Sequence, residues 1–140
     1  MLTRDELLAF LRRHRFAVEA TVAHDGAPQA AVVGFAVSDE LEIVFDTLAD
    51  TRKIANLRLE RRIALVIGWD EERTVQIEGL ADEPEGRERD RLLAVYLAAW
   101  PDGRARLEWP GITHVRVRPR WARFSDFTAT PPRIETLDFA

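Results

Sequence analysis

The chain of 140 residues contains 20 Lys and Arg against 24 Asp and Glu, which gives a formal net charge of −4. That balance argues against a role on nucleic acid or on a membrane surface, and the absence of Cys excludes disulfides, thiolate nucleophiles and thiolate metal sites. With 46% hydrophobic and 31% charged residues, the composition predicts one globular domain over residues 1–140.

The N-terminal segment is charged almost at once, at Arg4, Asp5 and Glu6. It lacks the apolar centre of a secretory signal peptide. No apolar run in the chain approaches the about 20 residues that a membrane-spanning helix needs. These features predict a soluble, cytoplasmic protein.

The first elements predicted along the chain are an amphipathic helix over residues 3–14 and a strand over residues 16–22. Thr3 and Glu6 have the spacing of a capping box, in which two residues satisfy backbone N–H groups at a helix start. The strand alternates between a fully apolar face and a second face that carries Glu19. An Asp-Gly pair then predicts a hairpin turn.

The second predicted strand, over residues 29–37, is apolar on both faces. A strand of an antiparallel sheet commonly has one solvated face, so the second face of this strand needs a cover. Its residues are Ala30, Val32, Gly34 and Ala36. Small residues there suit a flat ligand or the close approach of another subunit. A covering helix is an equally good interpretation.

A strand predicted over residues 41–45 ends in a break, after which a helix starts at Asp50 or Thr51. Arg52 and Lys53 occupy the first turn of that helix, although the N-terminal end of a helix is partly positive and favours acidic residues. Backbone N–H groups, a hydroxyl and two cations together make a good phosphate receptor. Alternatively, both cations are ordinary solvated charges.

Two further strands are predicted over residues 62–69 and 74–81, with an acidic turn between them. The first of these strands is apolar on both faces. The second has one apolar face, with Val75 and Ile77, and one polar face that carries Gln76. Gln76 is therefore not expected to belong to the core.

The last third of the chain is predicted to contain a helix over residues 86–100 and a strand over residues 112–124. Residues 102–111 fit a loop or a short helix. The strand places four basic side chains on one face, which we interpret as chiefly solvated: His114, Arg116, Arg118 and Arg120. Pro119 predicts an edge or a bulge, and the tail over residues 125–140 is predicted to be loosely attached.

Strands joined by short turns, with helices between them, predict an antiparallel barrel with flanking helices. Several kinds of catalytic site do not occur in this sequence. The three histidines lie far apart without metal-binding spacing. Neither Ser38 nor Ser125 lies in the turn motif of a hydrolase nucleophile. Gly-rich phosphate and dinucleotide motifs are also missing, and no residue is identified as a catalytic acid or base.

The order of the predicted elements and of four short motifs resembles that of a known family. A strand ending Phe-Asp-Thr precedes the helix start Thr-Arg-Lys, a strand Arg-Arg-Ile-Ala-Leu-Val and the segment Val-Gln-Ile-Glu-Gly. This order is similar to that of the pyridoxamine 5′-phosphate oxidase-like, FMN-binding split-barrel family, over roughly residues 7–124. The resemblance implies a mainly β fold, a six-stranded antiparallel split barrel, and a homodimer with two flavins at its interface.

The resemblance also implies a cofactor site for FMN. The phosphate would be held at the helix start, by Thr51, Arg52 and Lys53. The flavin ring would be lined by the backbone of one strand, at Val32, Val33 and Gly34, and bordered by the end of the next, at Phe45, Asp46 and Thr47. Gln76 would hydrogen-bond the ring. Two residues of a late strand, often supplied across the dimer in this family, match only loosely: Trp121 and Arg123.

The chain departs from the family in one respect, because it has no evident counterpart of the C-terminal arginine motif that binds substrate in true pyridoxamine phosphate oxidases. The oxidation of vitamin B6 therefore does not follow from the resemblance. The implied function is a flavin-dependent oxidoreductase that acts on an unidentified small molecule. The alternatives are an F420-dependent reductase, which should need further basic residues, and a non-catalytic flavin-binding or storage protein. Haem, which some relatives bind, is disfavoured because no histidine has an obvious axial role.

Overall fold

The computed structural model describes residues 1–139, and that part of the chain contains seven strands and four helices. The strands are β1 (Phe16–Val22), β2 (Pro28–Val37), β3 (Ile43–Leu48), β4 (Arg62–Ile67), β5 (Arg73–Asp82), β6 (Ile112–Asp126) and β7 (Arg133–Asp138). The helices are α1 (Arg4–Arg12), α2 (Arg52–Leu59), α3 (Gly86–Ala99) and α4 (Gly103–Arg106). None of these helices is long and apolar enough to cross a membrane.

All strand pairs are antiparallel, in the order β3-β2-β1-β4-β5-β6-β7, and an additional pairing of β3 with β6 closes the first six strands into a barrel. The predicted mainly β fold, a six-stranded antiparallel split barrel with flanking helices, is confirmed. β7 pairs with the second half of β6 outside the closed barrel. The tail was therefore wrongly predicted to be loosely attached, since the β6–β7 hydrogen bonds and the packing of Leu137 on the core hold it in place.

The barrel is filled by alternate residues of its strands, and α1 and α2 pack against the same core. Leu7 and Leu11 of α1 and Ile54 of α2 are fully or almost fully buried in the same core as the strand residues. α1 starts as predicted, since the Thr3 side chain accepts from the Glu6 N–H at 3.1 Å and the Glu6 carboxylate accepts from the Thr3 N–H at 3.1 Å.

β1 turns its more polar face into the barrel. Glu19 and Thr21 are each only 2% exposed, whereas Phe16 and Val22 at the ends of the apolar face are 49% and 40% exposed. The apolar face of β1 therefore belongs to the outer surface of the sheet. This inversion of the usual pattern places a carboxyl inside the barrel.

α3 and α4 lie outside the barrel, and α3 packs on the outer faces of β2, β3 and β6. Leu92, Tyr96 and Leu97 of α3 form a second apolar cluster with Ala36 and Val44. The covering helix that the sequence left open is thus present over the end of β2.

The same helix explains why the prediction of a solvated basic face on β6 is wrong at two positions. His114 and Arg116 are each 5% exposed because α3 lies over them. The Arg116 guanidinium donates to Asp82 at 2.6 Å and to Glu88 at 3.0 Å, so its buried charge is compensated. Arg118 and Arg120, farther along the strand, are exposed as predicted.

Several strand ends differ from their predicted positions. β3 begins at residue 43 and continues to residue 48, because its last residues pair with β6 although the neighbouring strand β2 has already diverged. β4 ends at residue 67, short of its predicted end at residue 69. Near Pro119 the β5–β6 register shifts between Glu78 and Gly79, so the predicted bulge is confirmed.

Candidate functional site

The candidate site is built around the place where β2 and β3 separate. Their ladder runs from the pair Val37–Ile43 to the pair Phe35–Phe45 and ends there. Beyond it, residues 28–34 of β2 pair with β1 only, while residues 46–48 of β3 pair with β6 only. We call the opening between these two segments the split.

The split leaves an unpaired strand edge on β2. The Phe35 N–H donates to the Arg15 carbonyl, on the β1 side. Because backbone groups alternate between the two sides of a strand, those of Val32 and Gly34 point into the split. An unpaired edge of this kind offers hydrogen-bond donors and acceptors to a ligand that lies along it.

The start of α2 stands at the end of β3, beside the split. Thr51 is the N-cap residue, but its hydroxyl donates to the Leu48 carbonyl at 2.9 Å instead of capping the helix, and it lies 3.3 Å from the Thr47 hydroxyl. The first turn contains no acidic residue. The N–H groups of that turn are therefore left without a side-chain acceptor.

Arg52 and Lys53 are the two cations of that turn. The ion pairs around α2 are made by Arg58 and Arg62, and within residues 1–139 neither Arg52 nor Lys53 has an acidic partner within ion-pairing distance. Uncompensated cations at the positive end of a helix raise the free energy of the folded chain unless an anion binds there. The geometry therefore fits an anion receptor and provides the observation that links this site to phosphate.

The other side of the split is supported by α3 and α4. The Asp46 carboxylate accepts from the Arg106 guanidinium at 2.7 Å, and the same guanidinium donates to the Tyr96 hydroxyl at 3.1 Å. Burial, with the nearby Asp46 charge, raises the pKa of Tyr96 well above its ordinary range. Trp100 covers Gly34 and donates from its indole N–H to the Phe35 carbonyl at 2.9 Å.

Gln76, Trp121 and Arg123 form a separate group on the outer faces of β5 and β6. Gln76 is exposed and lies directly opposite Arg123, whose guanidinium is 5.2 Å from the centre of the Trp121 ring. Two strands, β1 and β4, separate this group from β2. At the usual strand spacing, Val32 and Gln76 are about 14 Å apart.

A continuous row of outward-facing residues joins the two groups across the sheet. Val32, Val18, Val66, Gln76 and Arg123 are successive neighbours on β2, β1, β4, β5 and β6. Val32 is 62% exposed and Val66 is 37% exposed. We call this row the outer ledge, and its apolar half is uncovered in the single chain.

The structure thus brings together nine of the predicted site residues and leaves three apart. Those at the split are Val32, Val33, Gly34, Phe45, Asp46, Thr47, Thr51, Arg52 and Lys53. Two of the nine, Val33 and Phe45, turn their side chains into the core, at 8% and 0% exposure, and the backbone groups of Val33 point toward β1, as those of Phe35 do. Gln76, Trp121 and Arg123 lie across the ledge.

Sequence reasoning missed four residues that shape this region. Trp100 and Arg106 carried no signal, because their contacts depend on how α3 and α4 pack. His114 lies opposite Asp46 on β6, and its Nδ1 is buried without a partner among residues 1–139. Glu19 was assigned to the face of β1 that proves to be internal, but an acidic residue there gave no reason to expect burial.

Outside the split, the described part of the chain contains grooves but no candidate metal site. Residues 1–139 contain no cluster of His, Asp and Glu that could hold a metal ion. A groove of about 640 Å³ lies between α1, α3 and the end of β2, and a second of about 630 Å³ lies on the outer sheet beside Ala64 and Glu78. Neither groove is lined by Thr51, Arg52 or Lys53.

Comparison with known sequences gives a direct likeness. A sequence model of the family described as Pyridoxamine 5'-phosphate oxidase matches residues 3–126. A curated relative, the pyridoxine/pyridoxamine 5'-phosphate oxidase of Burkholderia cenocepacia, is 33% identical over 81% of this chain and 56% of its own length. The chain thus spans about half the length of the curated relatives it matches.

Solved structures share the fold at lower identity. A heme binding protein from Mycobacterium smegmatis has a TM-score of 0.83 at 18% identity, over 99% of this chain and 59% of that one. A pyridoxamine 5'-phosphate oxidase-related, FMN binding protein from Nostoc punctiforme has a TM-score of 0.73 at 13% identity, over 100% and 99% of the two chains. At these identities the likeness establishes the fold, and the ligand must be argued from the residues of this chain.

Proposed function

Because the chain belongs to the pyridoxamine 5′-phosphate oxidase family, we propose that it is an FMN-binding flavoprotein that acts as an oxidoreductase on a small molecule. The observation that carries this proposal is the start of α2. Two cations without acidic partners, free backbone N–H groups and two hydroxyls converge beside an unpaired strand edge. A flavin mononucleotide has the matching parts, a dianionic phosphate at one end and a flat, hydrogen-bonding ring at the other.

Each part of the site has a separate task in this proposal. Arg52 and Lys53 bind the phosphate by charge-assisted hydrogen bonds, and the exposed backbone of Val32 and Gly34 orients the ring. Bound FMN supplies hydride or electron transfer, which no side chain of this site can perform. Arg106 pairs with the Asp46 carboxylate. The negative charge of Asp46 is thereby compensated, which reduces its repulsion of a reduced, electron-rich flavin ring.

We further propose a homodimer in which the outer ledge is the interface. The ledge is apolar and uncovered at Val32 and Val66, and such patches mark interaction sites. A second copy placed there would bring its own Gln76, Trp121 and Arg123 toward the split of the first copy. The three residues that stand apart in one chain would then complete the site of the other.

The substrate does not follow from the relatives, which are about twice as long as the matched region. The family name of those relatives concerns vitamin B6 phosphates, and the arginine motif that would support this substrate is not evident in the sequence. An F420-dependent reductase and a flavin-storage protein remain the competing proposals. Reduction of the bound flavin by a pyridine nucleotide, with turnover of an electron acceptor, would favour the oxidoreductase over both.

The test is a titration of the purified chain with FMN and with riboflavin, followed by flavin fluorescence. Wild type should bind FMN more tightly than riboflavin, which lacks the phosphate. Arg52→Ala should weaken FMN binding by about tenfold to a hundredfold, since a hydrogen bond to a charged group contributes about 1.5–3 kcal/mol. Riboflavin binding should be almost unchanged.

A matched control is Arg58→Ala, at the far end of the same helix, where the guanidinium pairs with Glu83 at 2.8 Å. This variant should bind FMN like wild type. Equal losses of FMN and riboflavin in Arg52→Ala would contradict the phosphate assignment. Light scattering should give about 32 kDa, twice the 16.0 kDa chain mass, and a monomer at every concentration would contradict the composite site.

A further inference from the structure

Glu19 is a buried carboxyl that the preceding proposal does not use. It lies on the inner face of β1 at 2% exposure, and its Oε2 has no hydrogen-bond partner among residues 1–139. Burial raises the pKa of the Glu19 carboxyl, and the charge of Lys53 opposes that shift. A buried carboxyl without a partner destabilises the fold, so its presence calls for a compensating contact.

The other polar groups at this end of the barrel already satisfy one another. The Asn56 amide donates to the Thr21 hydroxyl at 3.0 Å and to the Gln29 side-chain oxygen at 2.9 Å. These three side chains are neutral. Among residues 1–139, the Glu19 Oε2 takes no part in these hydrogen bonds.

The position of Glu19 connects it with the split. Ala31 is its direct neighbour on β2 and faces the same side of the sheet, yet Ala31 is exposed because β2 has no partner strand on its other edge there. The positive charge of Lys53, in the first turn of α2, lowers the pKa of Glu19 and so opposes part of the effect of burial. The Glu19 carboxyl thus lies next to the unpaired stretch of β2 that borders the split.

We propose that Glu19 hydrogen-bonds the hydroxyl-bearing chain of a ligand whose anionic end is held at Arg52 and Lys53. This inference rests on the proposed function, and for FMN the chain in question is the ribityl group between ring and phosphate. Hydroxyls suit the carboxyl in either protonation state, because they can donate to it and accept from it. The phosphate itself is unsuited as a partner, since a second negative charge would be repelled.

Glu19 therefore makes binding selective for flavins that carry a chain of hydroxyl groups (a polyol). Glu19 does not increase the affinity for a flavin without hydroxyls in its side chain. It increases the affinity for a flavin with hydroxyls, whether or not a phosphate follows them. This dependence differs from that of Arg52, which recognises the phosphate alone.

The experiment compares FMN, riboflavin and lumiflavin, which respectively carry polyol and phosphate, polyol only, and neither. Glu19→Leu should weaken the binding of FMN and of riboflavin by the same factor, about threefold to tenfold, and leave the binding of lumiflavin unchanged. Glu19→Gln keeps a donor and an acceptor and should stay within about twofold of wild type for all three flavins. Thermal unfolding of Glu19→Leu should confirm a folded chain, since the change removes an unpaired buried carboxyl.

Two results would overturn the inference while FMN binding by wild type stands. One is unchanged riboflavin binding in Glu19→Leu. The other is a loss confined to FMN, which would mean that Glu19 acts only by positioning Lys53 for the phosphate. Failure of wild type to bind any of the three flavins would overturn the proposed function and this inference with it.

Discussion

Gly34→Ala is expected to destabilise the protein by about 2 kcal/mol, although the change adds a single methyl group. A Cβ at this position would lie 2.6 Å from Cζ2 of Trp100 and 3.0 Å from its Cη2. The indole cannot withdraw easily, because its N–H donates to the Phe35 carbonyl at 2.9 Å and the Arg15 guanidinium stacks 4.0 Å from its centre. Extra atoms in such packed sites cost about 1–3 kcal/mol.

The cause of this loss can be isolated by a double-mutant cycle with Trp100→Phe. The smaller ring lacks the indole atoms that the new methyl group would meet. In that background Gly34→Ala should cost less than about 1 kcal/mol, which gives a coupling of at least about 1 kcal/mol between the two positions. Urea unfolding at one fixed protein concentration measures all four variants, and the fixed concentration matters if the folded form is a dimer.

An equal loss of stability from Gly34→Ala with either residue at position 100 would contradict a clash with Trp100. Such a result would mean that the destabilisation comes from the backbone of β2 and not from the contact with α3. A neutral effect in the wild-type background would be equally damaging. It would show that α3 can move away from β2 at little cost, so that the cover of this face is loose.

Two further predictions concern buried charge. Arg116→Met should destabilise by about 3 kcal/mol in urea unfolding, because it leaves Asp82 and Glu42 without their shared cation, whereas Arg62→Met on the surface should cost less than about 1 kcal/mol. Burial, with the nearby Arg89 charge, lowers the pKa of His114 below its ordinary 6.5, so stability should be lost as pH falls from about 6.5 through the folded-state pKa. His114→Phe should lack that part of the pH dependence, and identical pH profiles would contradict the burial of a neutral imidazole.

Local chemistry explains which parts of the fold the sequence could predict. The capping box at Thr3 depends on residues close together in the chain, and the bulge opposite Pro119 depends on a residue that cannot donate to a strand ladder; both are confirmed. The helix start at Thr51 was also predicted, but the predicted side-chain cap is absent, because the Thr51 hydroxyl donates to the Leu48 carbonyl instead. In each case the determining contacts span only a few residues or one strand pair.

Long-range packing explains what could not be predicted. Arg116 is buried because Glu42, 74 residues earlier in the chain, and α3 meet it. Glu19 is internal because the apolar face of β1 is outside, and alternation alone does not tell which face of a strand is the inner one when both could be covered. The polar residues near the split can therefore be identified only once the register of β1 and β2 and the position of α2 are known.

The candidate site shows the same difference between local contacts, which could be predicted, and long-range contacts, which could not. The anion receptor proposed at Arg52 and Lys53 was predicted because two cations at a helix start conflict with the helix dipole. The support given by Arg106 and Trp100 could not be recognised, since each acts on a residue at least 60 positions away. Charge conflicts within one turn can be read from a sequence, while contacts between distant segments require the structure.

The outer ledge links binding of the proposed ligand to formation of the proposed dimer. A chain that leaves Val32 and Val66 exposed loses the favourable burial of about 25 cal/mol for each Å² of apolar surface. A second copy on the ledge recovers that burial and, in our proposal, also supplies Gln76 and Arg123 to the flavin. Binding of FMN should then favour the dimer, and dimer formation should favour FMN, by the same factor, because the two equilibria are thermodynamically linked.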